Sequence, residues 1–196
     1  MASEPTRLSL IKRLRDPADG EAWTTFDARY RDLILRHCRR RGLQTADAED
    51  VRQMVMLSLA SALRSFHYDP ALGRFRDYLG RVVHNAIQRS FSRPSRGAQL
   101  DVDLLELQAA DTGPLDELWE SDWMHHHMRL AMTAVRRSSE PGSIEVFERL
   151  VAGESVSGVA RACGKSEDAV KKILQRVRER LREQVARQVH NEDVGG

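Results

Sequence analysis

The sequence predicts an all-α protein made of two small helical domains that are joined by an acidic linker. Apolar residues recur at helical spacing through most of the 196 residues, and no segment alternates apolar and polar residues cleanly enough to predict a strand. The charge is uneven, because Leu100–Met128 has eight acidic residues and no Lys or Arg, whereas Arg74–Arg96 and Arg161–Arg187 are rich in basic residues. We therefore place the domains at residues 1–94 and 115–190, with the linker at 95–114.

Four helices are predicted in the first domain, at residues 6–14, 20–41, 45–66 and 74–92. Each boundary has a local signal: Asp16-Pro17 ends the first helix, and Gly42 ends the second. Thr45 is an N-cap residue, and the acidic residues that follow it favour the positive end of the helix dipole. Asp69-Pro70 and Gly73 are turn residues, so a loop separates the third helix from the fourth.

The second domain is predicted to contain a helix at residues 115–138, a short helix before Gly153, and then a helix-turn-helix. Ser155 and Ser166 are N-cap residues, and Gly164 can adopt the positive φ that a tight turn between two helices requires. The buried positions are Val159, Ala160, Val170, Ile173, Leu174 and Val177. A basic outer face on the second helix of such a motif is typical of major-groove DNA recognition.

Composition and spacing exclude several other classes of protein. No apolar stretch is long enough to cross a bilayer and no signal peptide precedes the first helix, so we expect a cytoplasmic protein without membrane insertion. Cys38 and Cys163 are far apart and are expected to be buried thiols. The run His125–His127 does not favour a metal site, because consecutive helical side chains point about 100° apart. Asp122 and His126 have the spacing of a metal-binding pair but lack further nearby ligands, so neither a metal nor another cofactor is expected.

The segment 47–91 resembles the polymerase-binding and promoter-melting domain of bacterial sigma factors of the sigma-70 type. The matching positions are Glu49, Asp50 and Gln53 on one helix, Tyr68, Asp69, Pro70, Gly73 and Phe75 around the loop, and Asn85 on the next helix. The helix-turn-helix at residues 153–181 is similar to the second DNA-binding domain of the same family. With only these two domains, the chain resembles the minimal, extracytoplasmic-function subgroup.

The resemblance implies a sigma factor without catalytic activity, which binds core RNA polymerase and directs initiation at specific promoters. Polymerase contacts, to the coiled coil of the largest subunit and the flap of the second-largest, would include Glu49, Asp50, Gln53 and Leu57. Contacts to the minus-ten element would come from Tyr68, Asp69, Arg74, Arg76, Arg81, Asn85 and Arg89. Contacts to the minus-thirty-five element would come from Ser166, Glu167, Lys171, Lys172, Gln175 and Arg176.

Two interpretations remain open beside this one. A helix-turn-helix regulator that binds DNA without polymerase would share the C-terminal pattern, but would need a sensing or dimerisation domain at the N-terminus. Phe75 and Tyr78 stand at helical spacing with Leu79 and Val82, which favours packing in the core over direct DNA contact.

The acidic linker is expected to imitate nucleic-acid charge near the polymerase active centre, and an anti-sigma partner is a further possibility within the family.

Overall fold

The computed structural model of the protein describes residues 7–65, 75–92 and 117–193. Within these ranges the chain forms eight α-helices and no β-strand, which confirms the all-α prediction. The helices are α1 (Arg7–Arg13), α2 (Gly20–Arg40), α3 (Thr45–Ser65), α4 (Phe75–Ser92), α5 (Glu117–Ser138), α6 (Pro141–Val151), α7 (Val156–Ala162) and α8 (Glu167–Asp193).

The chain divides into two compact units. Unit 1 contains Met1–His126 and His190–Gly196, and unit 2 contains His127–Val189. The division falls inside α5, so the first part of this helix belongs to unit 1. The sequence places the start of the second domain at residue 115, whereas the structure groups the beginning of α5 with the preceding helices.

Local hydrogen bonds fix both ends of α2. Asp19 accepts a hydrogen bond from the backbone N–H of Ala22 at 3.0 Å and another from Arg13 Nε at 2.7 Å. Because the Arg13 guanidinium and the Ala22 N–H both stabilise the carboxylate, the pKa of Asp19 is lowered. At the other end α2 stops at Arg40, and Gly42 adopts a φ of +93°, as its position after the helix predicts.

Aromatic side chains form the centre of unit 1. Phe26 and Tyr30 of α2, Phe75 of α4 and Trp123 of α5 are almost completely buried. The ring of Tyr30 lies 5.9 Å from Phe75 and 6.0 Å from Trp123, centroid to centroid, so one tyrosine joins three helices. The expected core position of Phe75 is confirmed, and burial of Trp123 explains why the beginning of α5 packs with unit 1.

Two small apolar clusters stabilise unit 2. One contains Ala131, Val135, Ile144, Val177 and Leu181, and the other contains Val146, Val159, Ala160 and Val170. Ile173 packs against both clusters. The predicted inward positions of α7 and α8 are therefore confirmed, except that Ile173 and Leu174 are only partly buried.

Two further predictions concern the environment of the chain. Among the described helices none is both long and apolar enough to cross a membrane. Cys38 is buried as expected, and burial raises the pKa of its thiol to about 12. Cys163 was expected to be buried but is partly exposed, because the short helix α7 ends beside it and leaves one side of the turn open to solvent.

Candidate functional site

One face of α3 carries three exposed side chains that the sequence assigns to polymerase binding. Asp50, Gln53 and Leu57 follow one another at spacings of three and four residues, so they form a single stripe. The side of α3 that contains Val51, Val55 and Leu59 is completely buried in unit 1. Leu57 is 53% exposed, so the stripe presents one apolar side chain to solvent beside two polar ones.

Glu49 has a different environment from the other three. Its carboxylate accepts hydrogen bonds from Arg31 of α2 at 2.6 Å and from Arg52 at 2.8 Å. Arg52 also donates to Asp27 of α2 at 2.5 Å, so these four side chains connect α2 to α3. The guanidinium groups of Arg52 and then Arg31 lower the pKa of Glu49. Glu49 is thus engaged within unit 1, where it orients α3 rather than extending the exposed stripe.

The arginines of α4 differ in their exposure. Arg81 is exposed, while Asn85 and Arg89 are half-buried and follow it at spacings of four residues along one side of the helix. Arg76 is mostly buried, and its NH1 lies 3.1 Å from Glu120 Oε2 of α5. Tyr68, Asp69 and Arg74, which the sequence assigns to the same surface, lie outside the described residues.

A buried polar cluster holds the beginning of α5 against α2. Asp122 is completely buried, and its two carboxylate oxygens lie 2.9 Å from His37 Nδ1 and 2.7 Å from Arg40 NH1. Desolvation by burial lowers the pKa of His37, although the hydrogen bond to Asp122 opposes this effect. Trp119 packs edge-on against the His37 ring, and its Nε1 donates a hydrogen bond to the Arg76 carbonyl at 3.2 Å.

In unit 2, α7 and α8 are joined by a tight turn at Gly164, where φ is +61°. Ser155 accepts a hydrogen bond from Gly158 N–H at 3.1 Å, and Ser166 accepts one from Ala169 N–H at 3.2 Å, so both predicted N-caps are present. Val170 is completely buried in the cluster that also contains Val159 and Ala160 of α7. The geometry of the turn therefore follows the sequence pattern closely.

The outer face of α8 brings together all six side chains that the sequence assigns to the minus-thirty-five contact. They are all exposed: Ser166, Glu167, Lys171, Lys172, Gln175 and Arg176. Lys171 Nζ lies 3.8 Å from Asp168 Oδ1, and Gln175 Nε2 donates to Glu179 at 2.9 Å. No ion pair is described for Lys172 or Arg176, which stand four residues apart and give this face of the helix its positive charge.

The three consecutive histidines occupy unlike environments. His125 is exposed, His126 stacks on Tyr30 with ring centroids 5.9 Å apart, and His127 Nδ1 lies 3.1 Å from Gln188 Oε1. Among the described residues no group of three or more His, Cys, Asp and Glu side chains has the arrangement of a metal site. The rings of His126 and His127 thus take part in packing and in a hydrogen bond between α5 and α8.

A comparison with known protein families gives a match to the part of the chain that contains most of α2 and all of α3 and α4. Residues 26–97 match the family model described as sigma-70 region 2. The match supports a sigma factor of the sigma-70 family. No curated protein and no solved structure matches the chain.

The sigma-70 region 2 match covers α2 from Phe26, all of α3 and all of α4. It supports a role in promoter recognition and implies interaction with core RNA polymerase and promoter DNA. It also points to a regulatory subunit and not to an enzyme. The matched span contains the stripe of Asp50, Gln53 and Leu57 and ends before α5, so Trp119 and Asp122 complete the core of unit 1 from outside it.

The sequence patterns missed the residues that connect α5 to region 2. Trp119 and Trp123 stand four residues apart on one helical face, which indicated burial but not the partner. Asp122 and Glu120 are two of eight acids in an acidic stretch, and nothing local distinguished the buried carboxylate from the half-exposed one. Arg52 stands three residues after Glu49, and this spacing on a helix was the sequence pattern that could have indicated their ion pair.

Proposed function

We propose that this protein is a sigma factor of the extracytoplasmic-function type, which binds core RNA polymerase in the cytoplasm and directs initiation at promoters with minus-ten and minus-thirty-five elements. The observation that carries the proposal is the region 2 match over a helical unit whose Asp50, Gln53 and Leu57 form one exposed stripe. A stripe that carries one carboxylate, one amide and one apolar side chain suits a protein interface with both polar and apolar contacts.

We assign the stripe on α3 to the coiled coil of the largest polymerase subunit. Leu57 would supply apolar area that becomes buried at the interface. Asp50 and Gln53 would supply hydrogen bonds that fix the register. Glu49, whose carboxylate pairs with Arg31 and Arg52 inside unit 1, would contribute by holding α3 in place for these contacts.

We assign the minus-ten element to α4 and to residues 67–74, which precede it in the sequence. Arg81, Asn85 and Arg89 lie along one side of α4, where they would contact the backbone and base edges of a single strand. Tyr68, Asp69 and Arg74 would complete this surface by family resemblance. Capture of an unstacked base requires a braced pocket, because flipping costs a few kcal/mol of lost stacking.

We assign the minus-thirty-five element to the exposed face of α8 in unit 2. Lys172 and Arg176 are exposed and carry no described ion pair, so they are the side chains best placed to neutralise phosphates or pair with guanine. Ser166 and Glu167 begin the helix, which is the part of a recognition helix that enters the major groove. The same unit would contact the flap of the second-largest subunit, and the acidic residues of the segment 95–114 would imitate nucleic-acid charge near the polymerase active centre.

Run-off transcription with purified core polymerase tests the proposal. The protein is added to core with sheared genomic DNA from the source cells, and transcripts are mapped by their 5′ ends. A sigma factor produces discrete start sites that core alone lacks. A helix-turn-helix regulator without a polymerase role leaves the pattern of core unchanged, and that result would reject the proposal in favour of the alternative.

Paired variants test the division of labour between the units. Asp50→Ala with Gln53→Ala should weaken core binding by about tenfold or more, because two polar interface contacts are lost together. Lys172→Ala with Arg176→Ala should leave core binding unchanged and should reduce transcription from the mapped starts. Arg178→Ala with Arg182→Ala, which removes two exposed basic side chains at the same spacing in later turns of α8, is the matched control. Co-purification of an anti-sigma protein from source cells would identify a further partner.

A further inference from the structure

Arg76 is the arginine of α4 whose described partner belongs to another helix. Its side chain is 13% exposed, and NH1 lies 3.1 Å from Glu120 Oε2, while Nε lies 3.4 Å from Asp77 Oδ1. Nε is buried and makes no hydrogen bond to any described residue. Arg76 is therefore paired but not fully satisfied.

The backbone that carries Glu120 is held firmly in place. Trp119 on one side donates a hydrogen bond to the Arg76 carbonyl at 3.2 Å and is 2% exposed. Asp122 on the other side is completely buried against His37 and Arg40. The first turns of α5 consequently keep the Glu120 carboxylate within reach of Arg76.

The Glu120 side chain itself is free to move, in contrast to its neighbours. It is 40% exposed, so a change of rotamer takes the carboxylate into solvent without unfolding α5. Water can solvate the carboxylate when it turns outward, whereas the mostly buried Arg76 guanidinium needs another anion in its place. A competing anion that pairs with Arg76 can therefore displace the carboxylate, because the guanidinium then keeps a partner.

We infer that Glu120 occupies the place of a DNA phosphate on Arg76, and that single-stranded promoter DNA displaces it. This inference rests on the proposed function, since it requires that α4 contacts DNA. A carboxylate and a phosphate oxygen present the same charge and the same acceptors to a guanidinium. Arg76 is then a binding residue that is neutralised in the free protein, and Glu120 lowers the affinity of this surface for nucleic acid until a strand is presented.

Binding of a fluorescein-labelled pool of random single-stranded 15-mers to holoenzyme, with core alone subtracted, tests the inference. Glu120→Gln keeps the size of the side chain and removes its charge, and should tighten binding about twofold or more, since even an exposed ion pair is worth this much and Arg76 is mostly buried. Glu117→Gln is the matched control, because Glu117 is exposed in the same turn and no ion pair is described for it. This control should leave the affinity unchanged.

Two further measurements show whether the effect passes through Arg76. Arg76→Gln should reduce the slope of log affinity against log salt by about 0.7, the value for one phosphate on a single strand. In that background Glu120→Gln should have no effect on affinity. Arg76→Met, which also removes the charge and keeps a long unbranched side chain, replaces Arg76→Gln if tryptophan fluorescence shows that the glutamine variant does not fold.

The outcomes separate the inference from the proposed function. Unchanged or weaker binding by Glu120→Gln, with the wild-type holoenzyme binding above core alone, would overturn the inference and leave the sigma assignment intact. Weaker binding in particular would mean that Glu120 positions Arg76 for DNA and does not compete with it. Failure of the wild-type protein to bind DNA above core alone, together with absence of new start sites, would reject both.

Discussion

Replacement of Asp122 by alanine should strongly destabilise unit 1. Asp122 is completely buried, and its carboxylate is the acceptor for both His37 Nδ1 and Arg40 NH1. Removing the carboxylate leaves the buried His37 ring without its acceptor, and an unsatisfied buried donor typically costs about 1–3 kcal/mol. We expect about 3 kcal/mol, the upper end of this range, because Arg40 loses its partner as well, although its side chain is 43% exposed and water replaces part of that contact.

Tryptophan fluorescence during urea unfolding measures this effect on unit 1 specifically. The chain has three tryptophans, Trp23, Trp119 and Trp123, and all of them belong to unit 1. With an m-value of about 1.5 kcal/mol/M for a unit of this size, a loss of 3 kcal/mol lowers the urea midpoint by about 2 M. Far-UV circular dichroism, which follows both units, should show a second transition that does not shift.

Two further variants make the test of Asp122 decisive. Asp122→Asn keeps one acceptor oxygen and the side-chain volume, so it should lose about half as much stability as Asp122→Ala. Glu117→Ala, an exposed position in the same turn of α5, should change the midpoint by less than about 0.5 M. A loss below about 1 kcal/mol for Asp122→Ala would refute the reasoning, since it would mean that α5 does not depend on this buried carboxylate.

Three more perturbations have defined outcomes. Burial lowers the pKa of His37 below its ordinary 6.5, so the stability that its neutral form contributes is present above pH 6.5 and is lost as the pH falls toward the lowered value. Between pH 7.5 and 5.5 the urea midpoint should therefore fall more for the wild type than for His37→Asn. An equal fall of the midpoint in both proteins would contradict this. Gly164→Ala should cost about 1 kcal/mol because φ is +61°, whereas Gly142→Ala, with nothing within 4 Å and no positive φ, should be neutral in thermal circular dichroism. One thiol, Cys163, should react quickly with a chromogenic disulfide while Cys38 reacts only in denaturant, and two fast thiols in the native protein would disprove the buried position of Cys38.

The sequence predicted most helix boundaries within a residue or two, because those boundaries depend on local chemistry. Gly42 and Gly164 adopt the positive φ expected of them, and the caps at Ser155 and Ser166 are formed. The exposed face of α8 followed from the 3.6-residue period, since one buried stripe fixes which side chains face solvent. α6 begins earlier than the apolar pattern suggested, because Pro141 is well suited to the first turn of a helix.

Contacts between distant parts of the chain were beyond the sequence pattern. His37 and Asp122 are 85 residues apart. His37 lies among several arginines and Asp122 lies in the acidic stretch, so the residues near each of them do not indicate that the two side chains meet. Glu49 matches its family position, yet Arg31, 18 residues earlier, makes it part of an internal network. Periodicity identifies the buried side of a helix, but it does not identify the helix that packs against that side.

The position of the first turns of α5 matters for anyone who exchanges modules between proteins of this kind. Cutting the chain at the acidic segment would appear natural, because the family match ends at residue 97 and the composition changes there. Such a cut would remove Trp119, Asp122 and Trp123 from the N-terminal piece and expose the surfaces of Tyr30 and His37 that they cover. A chimaera that is joined inside α5, after His126, keeps this core whole, and recombination points in this architecture are better chosen by shared packing than by the limits of a sequence signature.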